Sequence, residues 1–457
     1  MNEKIVMPAG AVYIIEELNK KGYEAFIVGG CVRDSLLGRV PSDWDITTSA
    51  TPYQVKDIFK KTVDTGLQHG TVTVLVDKEH AKGNEYSYEV TTYRVDGVYE
   101  DHRRPSEVTF SKSLEEDLKR RDFTINAMAY NDKDGVVDIF GGKEDLERKL
   151  IRCVGTPSER FDEDALRILR AVRFAAQLGF KIDDETQKAM ENQARFLKDI
   201  SAERIREEFT KLITSDNPGM LTTAYELGLT KEFLPEFDEM IKTPQNNPNH
   251  MYPVGMHTIK VMENVPRDTV LRYTALLHDV AKPLCRTTDE NGTDHFYDHQ
   301  ITGSKMAHDI LRRLKFDNDT VDKITKLVMY HDYGIGSELG IKAFRRFLAK
   351  LGTENFDDYI TIREADIKAQ SDYNLESKKE SIESFKKMYE IVVSENHCLK
   401  IADLAIDGKV LIELGMKPGR AMGEMLHYLL ECVMDEPPLN NRETLINLVR
   451  SKLEEET

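Results

Sequence analysis

The chain has 457 residues, too many for one compact core, so roughly two to four domains are expected. A composition of 40% hydrophobic and 31% charged residues is that of a soluble globular protein, and no run approaches the roughly 18 uninterrupted apolar residues of a membrane span. The formal net charge of −17 leaves the partner open, because global charge governs solubility and approach while nucleic-acid binding needs only a local positive track.

Met1 to Gly10 lacks the basic-then-apolar layout of a secretory signal, so a cytoplasmic location is expected. Pro8 to Lys21 has helical spacing, and Glu24 to Val28 reads as a short strand ending at Gly29-Gly30. Thr71 to Val76 and Tyr86 to Arg94 alternate as strands, joined by a polar turn around Gly83-Asn84. Asp134-Gly135 signals a hairpin between Ala127–Tyr130 and Val136–Ile139. These elements predict a mixed α/β domain of about 150 residues. From Glu163 onward the pattern is almost wholly helical, with apolar periodicity over Ala165–Phe180 and Ala202–Ile213. Thr243 to Pro253, rich in proline and asparagine, reads as a linker. A His-rich helical stretch follows to about Tyr373, and the charged Leu375–Lys387 predicts one exposed helix bridging to a C-terminal helical unit. The fold class expected is α+β, a mixed α/β head followed by all-helical parts.

Cys31, Cys153, Cys285, Cys398 and Cys432 are scattered and form no CxxC pair, which argues for free thiols over a disulfide framework or thiolate zinc site. Basic clusters occur at Arg103-Arg104, Lys119-Arg120-Arg121, Arg312-Arg313 with Lys315, and Arg345-Arg346. Taken singly, each reads more naturally as a solvated face than as a binding track.

The strongest chemical signal is FIVGGCVRDSLLGRVPSDWDI, Phe26 to Ile46. Gly29 and Gly30 stand between a strand and a helix beginning near Val32, where backbone N–H groups can approach a phosphate. Arg33 would offer its fork to phosphate oxygens. Asp43 and Asp45, one residue apart in an extended segment, would project from one face. Two such carboxylates beside a phosphate cradle suit a pair of Mg²⁺ ions; alone, the segment would read as a solvated turn after Pro41-Ser42. Glu89 would be the third carboxylate if its strand pairs with the Asp43–Asp45 segment, and otherwise an ordinary strand glutamate facing water.

Gly29 to Ile46, then EVTTYR (Glu89–Arg94), RRPSEVTF (Arg103–Phe110), RRDFTINAM (Arg120–Met128) and EDALRILRAVRFAAQLGF (Glu163–Phe180), resemble the class II CCA-adding enzyme and bacterial poly(A) polymerase family in order and spacing. The resemblance covers roughly the first 210 residues. It implies a nucleotidyltransferase head over 1–155, a helical neck over 156–242, an HD-type body over 243–385 and a tail over 386–457. It places Asp43, Asp45 and Glu89 in catalysis, and Arg121 and Asp122 near the triphosphate and ribose. Asn126 would share a face with Asp122 if that segment is helical, and the same residues also read as a capped helix start. Glu163, Asp164 and Arg167 are spaced to project from one helix. A carboxylate only accepts and an arginine only donates, so Asp164 with Arg167 fits the amino donor and ring acceptor shared by cytosine and adenine and rejects guanine and uracil. In the family resembled, this block serves as a protein template, with Glu163 supporting it and Arg170 in the same nucleotide-binding block; by itself it would read as an intrahelical ion pair.

The expected partners are the tRNA 3′ end, CTP and ATP, with no membrane and no protein partner evident. Thr91–Phe110 resembles the loop that terminal-A-adding members possess, which disfavours a CC-only enzyme, while A-only addition stays open. A poly(A) polymerase would more typically end in a basic extension, whereas this sequence ends Leu453-Glu454-Glu455-Glu456-Thr457. Addition of CCA is the reading preferred over those two and over a mainly HD-type phosphohydrolase.

His257, His278-Asp279, His299, His331-Asp332 and Asp366 resemble the HD-domain pattern, as does FYDHQITGSKMA (Phe296–Ala307). The resemblance implies His257, His278, Asp279 and Asp366 as ligands, with His299 and His331 as further candidates, for a transition-metal divalent ion or Mg²⁺. The chemistry implied is hydrolysis of a phosphorylated or cyclic-phosphate RNA end; the alternative is a scaffold kept for tRNA docking. Asp403–Pro437 resembles the tail of bacterial members, where Gly415, Gly419 and Gly423 suggest a tight loop entering a helix, either meeting an RNA phosphate or serving as turn chemistry.

Overall fold

Helix α1, Ala9–Lys20, turns Ala11, Ile14, Ile15 and Leu18 onto the sheet. It lies so close that a Cβ at Gly10 would sit 2.6 Å from the Tyr88 ring. The computed structural model describes residues 4–77, 80, 87–96, 99–100, 104–105, 108–334 and 339–455. The turn expected at Gly83-Asn84, Arg103 and part of the Thr91–Phe110 loop lie outside the described residues. The chain divides into two compact units, Met1–Asp238 and Glu239–Thr457.

In the first unit the elements follow as β1 (Ala25–Val28), α2 (Gly30–Leu36), β2 (Ile46–Thr48), α3 (Pro52–Ile58), β3 (Thr62–Gly66), β4 (Thr71–Leu75), β5 (Ser87–Thr92) and α4 (Leu114–Lys119). The expected hairpin forms from Met128–Asn131 and Gly135–Asp138. All these strands join one seven-stranded sheet, running from the hairpin through β1, β2, β5 and β4 to β3. Only β2 and β5 pair in parallel; the other neighbours are antiparallel. Phe26, Val28, Tyr93, Leu118, Ala127 and Ala129 close the core beneath it.

Helices α5 (Gly142–Arg148), α6 (Pro157–Glu163), α7 (Leu166–Leu178), α8 (Asp184–Gln193) and α9 (Ala202–Ile213) follow, with α6 packed on α8 and α7 on α9. The single helix expected to carry Glu163, Asp164 and Arg167 is broken. Asp164 takes an extended conformation (φ −143°, ψ 102°) after α6 ends, and its Oδ1 caps the next helix through the Leu166 N–H at 3.1 Å.

Among the described residues, the second unit is helical apart from a hairpin of Arg286–Thr288 with Asp294–Phe296. In the first unit, Leu150–Ile151 pairs in parallel with Lys181–Ile182, the latter within the region expected to be almost wholly helical. Thr243 to Pro253 is irregular, as expected of a linker. The helix Leu375–Ser394 is not wholly exposed: Lys378, Ile382, Phe385, Met388 and Val392 are buried on one face, against Phe344, Phe347 and Tyr359. A separate cluster around Leu411, Leu429, Leu445 and Val449 holds the C-terminal helices. Gly419 precedes one of them, Arg420–Asp435, at φ 154°. Among the described residues no helix is long and apolar enough to cross a membrane.

Candidate active site and a buried histidine cluster

Strand β1 runs out into Gly29, whose φ of 81° and ψ of −126° an L side chain rarely adopts. A Cβ there would lie 2.9 Å from Arg121 Nη1, so the guanidinium packs directly on the glycine turn. Helix α2 begins at Gly30 and not near Val32. The Asp45 carbonyl accepts from Val28 N–H at 3.0 Å, which holds the two-aspartate segment against the end of β1.

The parallel register Ile46↔Val90, carried back one residue, sets Asp45 level with Glu89. The condition on Glu89 is therefore met in the backbone pairing. Burial, with Asp43 and Glu89 nearby, pushes the Asp45 carboxyl up to about 6 against the pull of Arg121. Asp43 is exposed and accepts from Ser42 Oγ at 3.1 Å.

Arg121 is oriented by a carboxylate the sequence reading passed over. Asp117 is fully buried and takes Arg120 at 2.7 Å and Arg121 at 3.6 Å, with Thr47 Oγ1 donating at 3.1 Å. Burial would raise this carboxyl, but the two arginines hold it below the usual range. The i,i+3 and i,i+4 spacing to Arg120 and Arg121 was the available signal. The basic cluster here is a built ion-pair group and not a solvated face. At Arg345-Arg346 the pair is also structural: Arg345 donates to the Met434 carbonyl and Arg346 pairs with Glu431 and Asp435.

Asp122 and Asn126 meet, although their segment is extended at Phe123 and then a single 3₁₀ turn. Asn126 Nδ2 donates to Asp122 Oδ1 at 3.1 Å, and Arg33 Nη1 donates to Asn126 Oδ1 at 2.7 Å. The remaining Arg33 fork closes on Asp34. Asp122 Oδ2 takes both Arg170 Nε and Nη2, at 2.9 and 2.6 Å. Burial opposes that charge, yet Arg170 holds the carboxyl well below the ordinary range. Glu208 then bridges Arg170 at 3.4 Å and Arg173 at 2.5 Å. An unbroken polar chain thus ties α2 to α7 and α9.

The trio expected to read the base is arranged differently from expectation. Glu163 takes Arg167 Nη1 at 2.6 Å and also pairs with Arg160, while Arg167 Nη2 donates to the Arg120 carbonyl at 2.8 Å. The Asp164 carboxylate binds a different arginine. It accepts a fork from Arg204 on α9, at 2.7 and 3.3 Å. The helix break turns Asp164 off the Glu163–Arg167 face, and Arg204, forty positions away, left no local signal.

In the second unit the six candidate ligands, His257, His278, Asp279, His299, His331 and Asp366, gather in one buried cluster. Among the described residues, ligand atoms of three residues lie within 4.8 Å of one another in two groups, His257/His278/Asp366 and Asp279/His299/His331; the three head carboxylates are not among them. Each Nδ1 faces a backbone carbonyl, of Ala369, Ala275, Phe296 and Val328 in turn, at 3.4, 2.8, 2.8 and 2.8 Å. Every Nε2 therefore points inward, the orientation that metal-ligating histidines take from their outer hydrogen bonds. Asp279 joins the two groups, Oδ2 lying 3.1 Å from His278 and Oδ1 3.4 Å from His299. His257 Nε2 lies 2.9 Å from Asp366 Oδ1, so imidazole nitrogens and carboxylate oxygens converge as the ligand atoms of a cation would. Five residues that the sequence reading gave no role line the same cavity of about 300 Å³: Asn249, His250, Lys282, Gln370 and Lys378.

The family model described as "Poly A polymerase head domain" matches residues 25–152, and one for an RNA and SrmB-binding site of polymerase A matches 179–241. A third, "tRNA nucleotidyltransferase domain 2", matches 296–449. A protein named CCA-adding enzyme from Ligilactobacillus salivarius is 36% identical over 448 residues, covering 97% of this chain and 96% of that protein. One of the same name from Lactiplantibacillus plantarum is 52% identical over 215 residues, 46% of this chain and 51% of that one. Among solved structures, the Bacillus stearothermophilus CCA-adding enzyme in complex with CTP is 30% identical with a TM-score of 0.70, covering 98% of this chain and 100% of its own.

Proposed function

The chain belongs to the family of CCA-adding enzymes, and we propose from that premise how its residues divide the work. The protein is a template-independent nucleotidyltransferase that transfers CMP and AMP from CTP and ATP to the tRNA 3′ end. The tRNA 3′ hydroxyl attacks the α-phosphate, and pyrophosphate leaves. The observation that carries the assignment of the centre is the β2–β5 register, which sets Glu89 level with Asp45 beside the Gly29–Gly30 turn.

Asp43 and Asp45, with Glu89, hold divalent ions, read here as Mg²⁺ from their all-carboxylate donor set. When bound, such ions neutralise charge on the attacking and leaving oxygens. The Gly29 and Gly30 backbone, Arg33 and Arg121 cradle the triphosphate, and Asn126 and Asp122 carry that cradle through Arg170 to α7. Asp164, aimed by Arg204, accepts from the exocyclic amine of C or A, and Arg167, oriented by Glu163, donates to the ring nitrogen. The functional division we adopt is a head over 1–155, a neck over 156–242, an HD body over 243–385 and a tail over 386–457, working in the cytoplasm where tRNA, CTP and ATP meet.

The test supplies tRNA transcripts lacking CCA, CA or A, with labelled CTP and ATP, and sequences the products. Restoration of the full triplet is expected, and Asp43→Ala should abolish both additions while leaving tRNA binding intact. Incorporation of AMP alone, on transcripts ending in CC, would replace the reading with A-only addition. Incorporation by Asp43→Ala equal to the parent would overturn the metal assignment.

The buried histidine cluster favours a second activity. Its four inward imidazoles and two carboxylates fit a pair of transition-metal divalent ions, which when bound would act as Lewis acids toward a phosphoester. Metal analysis and hydrolysis of 2′,3′-cyclic phosphates and phosphomonoesters test it. Metal-loaded protein inert toward both would leave the cluster a structural element.

A further inference from the structure

We propose that Lys378, supported by His250, forms an anion subsite in the histidine-cluster cavity that takes the phosphate group of a phosphoester. The inference rests on the reading of that cluster as a divalent-metal site and goes beyond it by naming the residues that meet the substrate.

Lys378 sits on the helix Leu375–Ser394, on the same face as Ile382, Phe385 and Met388. Its residue is 9% exposed, and its Nζ has no hydrogen-bond acceptor. An ammonium carries three donors, and leaving them unmet out of water is costly. Burial accordingly lowers its pKa, with Asp366 pulling the other way. A lysine placed only for packing would be replaced at a gain by methionine.

Lys282, in contrast, is saturated. It meets Asp279 Oδ2 at 2.8 Å, Gln245 Oε1 at 2.7 Å and His250 Nε2 at 3.4 Å. Because Lys282 can only donate, His250 Nε2 accepts and the ring proton sits on Nδ1. That Nδ1 is also buried without a partner. Two unmet donors, Lys378 Nζ and His250 Nδ1, therefore belong to residues lining the same cavity.

The charge balance points the same way. Asp279, Asp332 and Asp366 line the cavity with Lys282 and Lys378, a near balance that two divalent ions would turn strongly positive. An anion completes it. At about 300 Å³ the space is at the small end of ligand pockets, suited to a phosphate and a little of what it esterifies.

The experiment uses the full chain loaded with Mn²⁺ and measures binding of inorganic phosphate by calorimetry, with metal content read by atomic emission. His278→Ala supplies the background from phosphate bound elsewhere. Lys378→Met should weaken the difference signal at least tenfold with metal content unchanged, Lys378→Arg should recover part of it, and the melting temperature of Lys378→Met should not fall. Unchanged phosphate affinity in metal-loaded Lys378→Met overturns the subsite alone. A clear fall in its melting temperature does so too, because it would make the ammonium a structural partner. Parent protein that takes up no more metal than His278→Ala overturns the metal reading, and the subsite with it.

Discussion

Replacing Asp122 by alanine tests the polar chain that ties the proposed triphosphate cradle to α7. Asp122 is 7% exposed and accepts from the Arg170 fork, from Asn126 Nδ2 and from the Phe123 N–H. Breaking a buried pair by removing one partner costs about 3–5 kcal/mol. The Arg170 side chain keeps 32% of its surface exposed and retains Glu208, so solvent and that partner reduce the ionic part to about 2 kcal/mol. The Phe123 N–H and Asn126 amide lose their acceptor and add about 1 kcal/mol. The expected loss is about 3 kcal/mol.

Trp44 is the chain's single tryptophan and lies between Asp43 and Asp45, so urea unfolding followed by its fluorescence reports on the first unit. With a slope of about 3 kcal/mol per molar, the midpoint should drop by about 1 M. A loss under about 1 kcal/mol would refute the reasoning. The pH dependence has a fixed sign. The Asp122 carboxyl is held below its unfolded value, so its contribution is complete above about pH 4 and is lost as pH falls through the depressed value. The gap between parent and Asp122→Asn should stay constant from about pH 8 to 5 and close in stronger acid.

Arg204→Ala frees Asp164 from its fork and should lower CTP and ATP incorporation about tenfold while raising the share of UTP misincorporated, as read by sequencing products from mixed nucleotides. Such a variant with unchanged fidelity would remove Arg204 from base selection. Gly29→Ala places a Cβ 2.9 Å from Arg121 Nη1 at a φ of 81° and should cost about 1–3 kcal/mol of strain; incorporation should fall with it, and a fully active, equally stable variant would contradict the close approach. Burial pushes the Cys31 and Cys153 thiols up to about 12 and Cys398 to about 11. Alkylation of the native protein near pH 8 should therefore mark Cys285 and Cys432 first, as read by mass spectrometry.

Local features of the head were readable because they are short-range. The Gly29-Gly30 turn, the aspartate pair and the Asp134-Gly135 hairpin each declare themselves within a few residues. The β2–β5 pairing could be posed only as a condition, since a parallel ladder joins segments over forty residues apart. The break at Asp164 was hidden because Glu163-Asp164-Ala165 holds no glycine or proline and the apolar period continues into α7. Lys378 was mistaken for part of an exposed face by its charged neighbours, although Ile382, Phe385 and Met388 continue its helical period. The hairpin at Arg286–Phe296 has strands of three residues, too short for alternation to show, despite its Asn291-Gly292 turn. The histidines were found by pattern, but the division into two groups around Asp279 needs the helices packed.

The anchoring of Asp164 by α9 bears on engineering. Exchanging the short Glu163–Arg167 block between relatives would carry over the residues proposed to read the base and leave behind the strut that holds one of them. A graft intended to alter which nucleotide is accepted should include Arg204 with its helix, or the transplanted aspartate will point wherever its new neighbours send it.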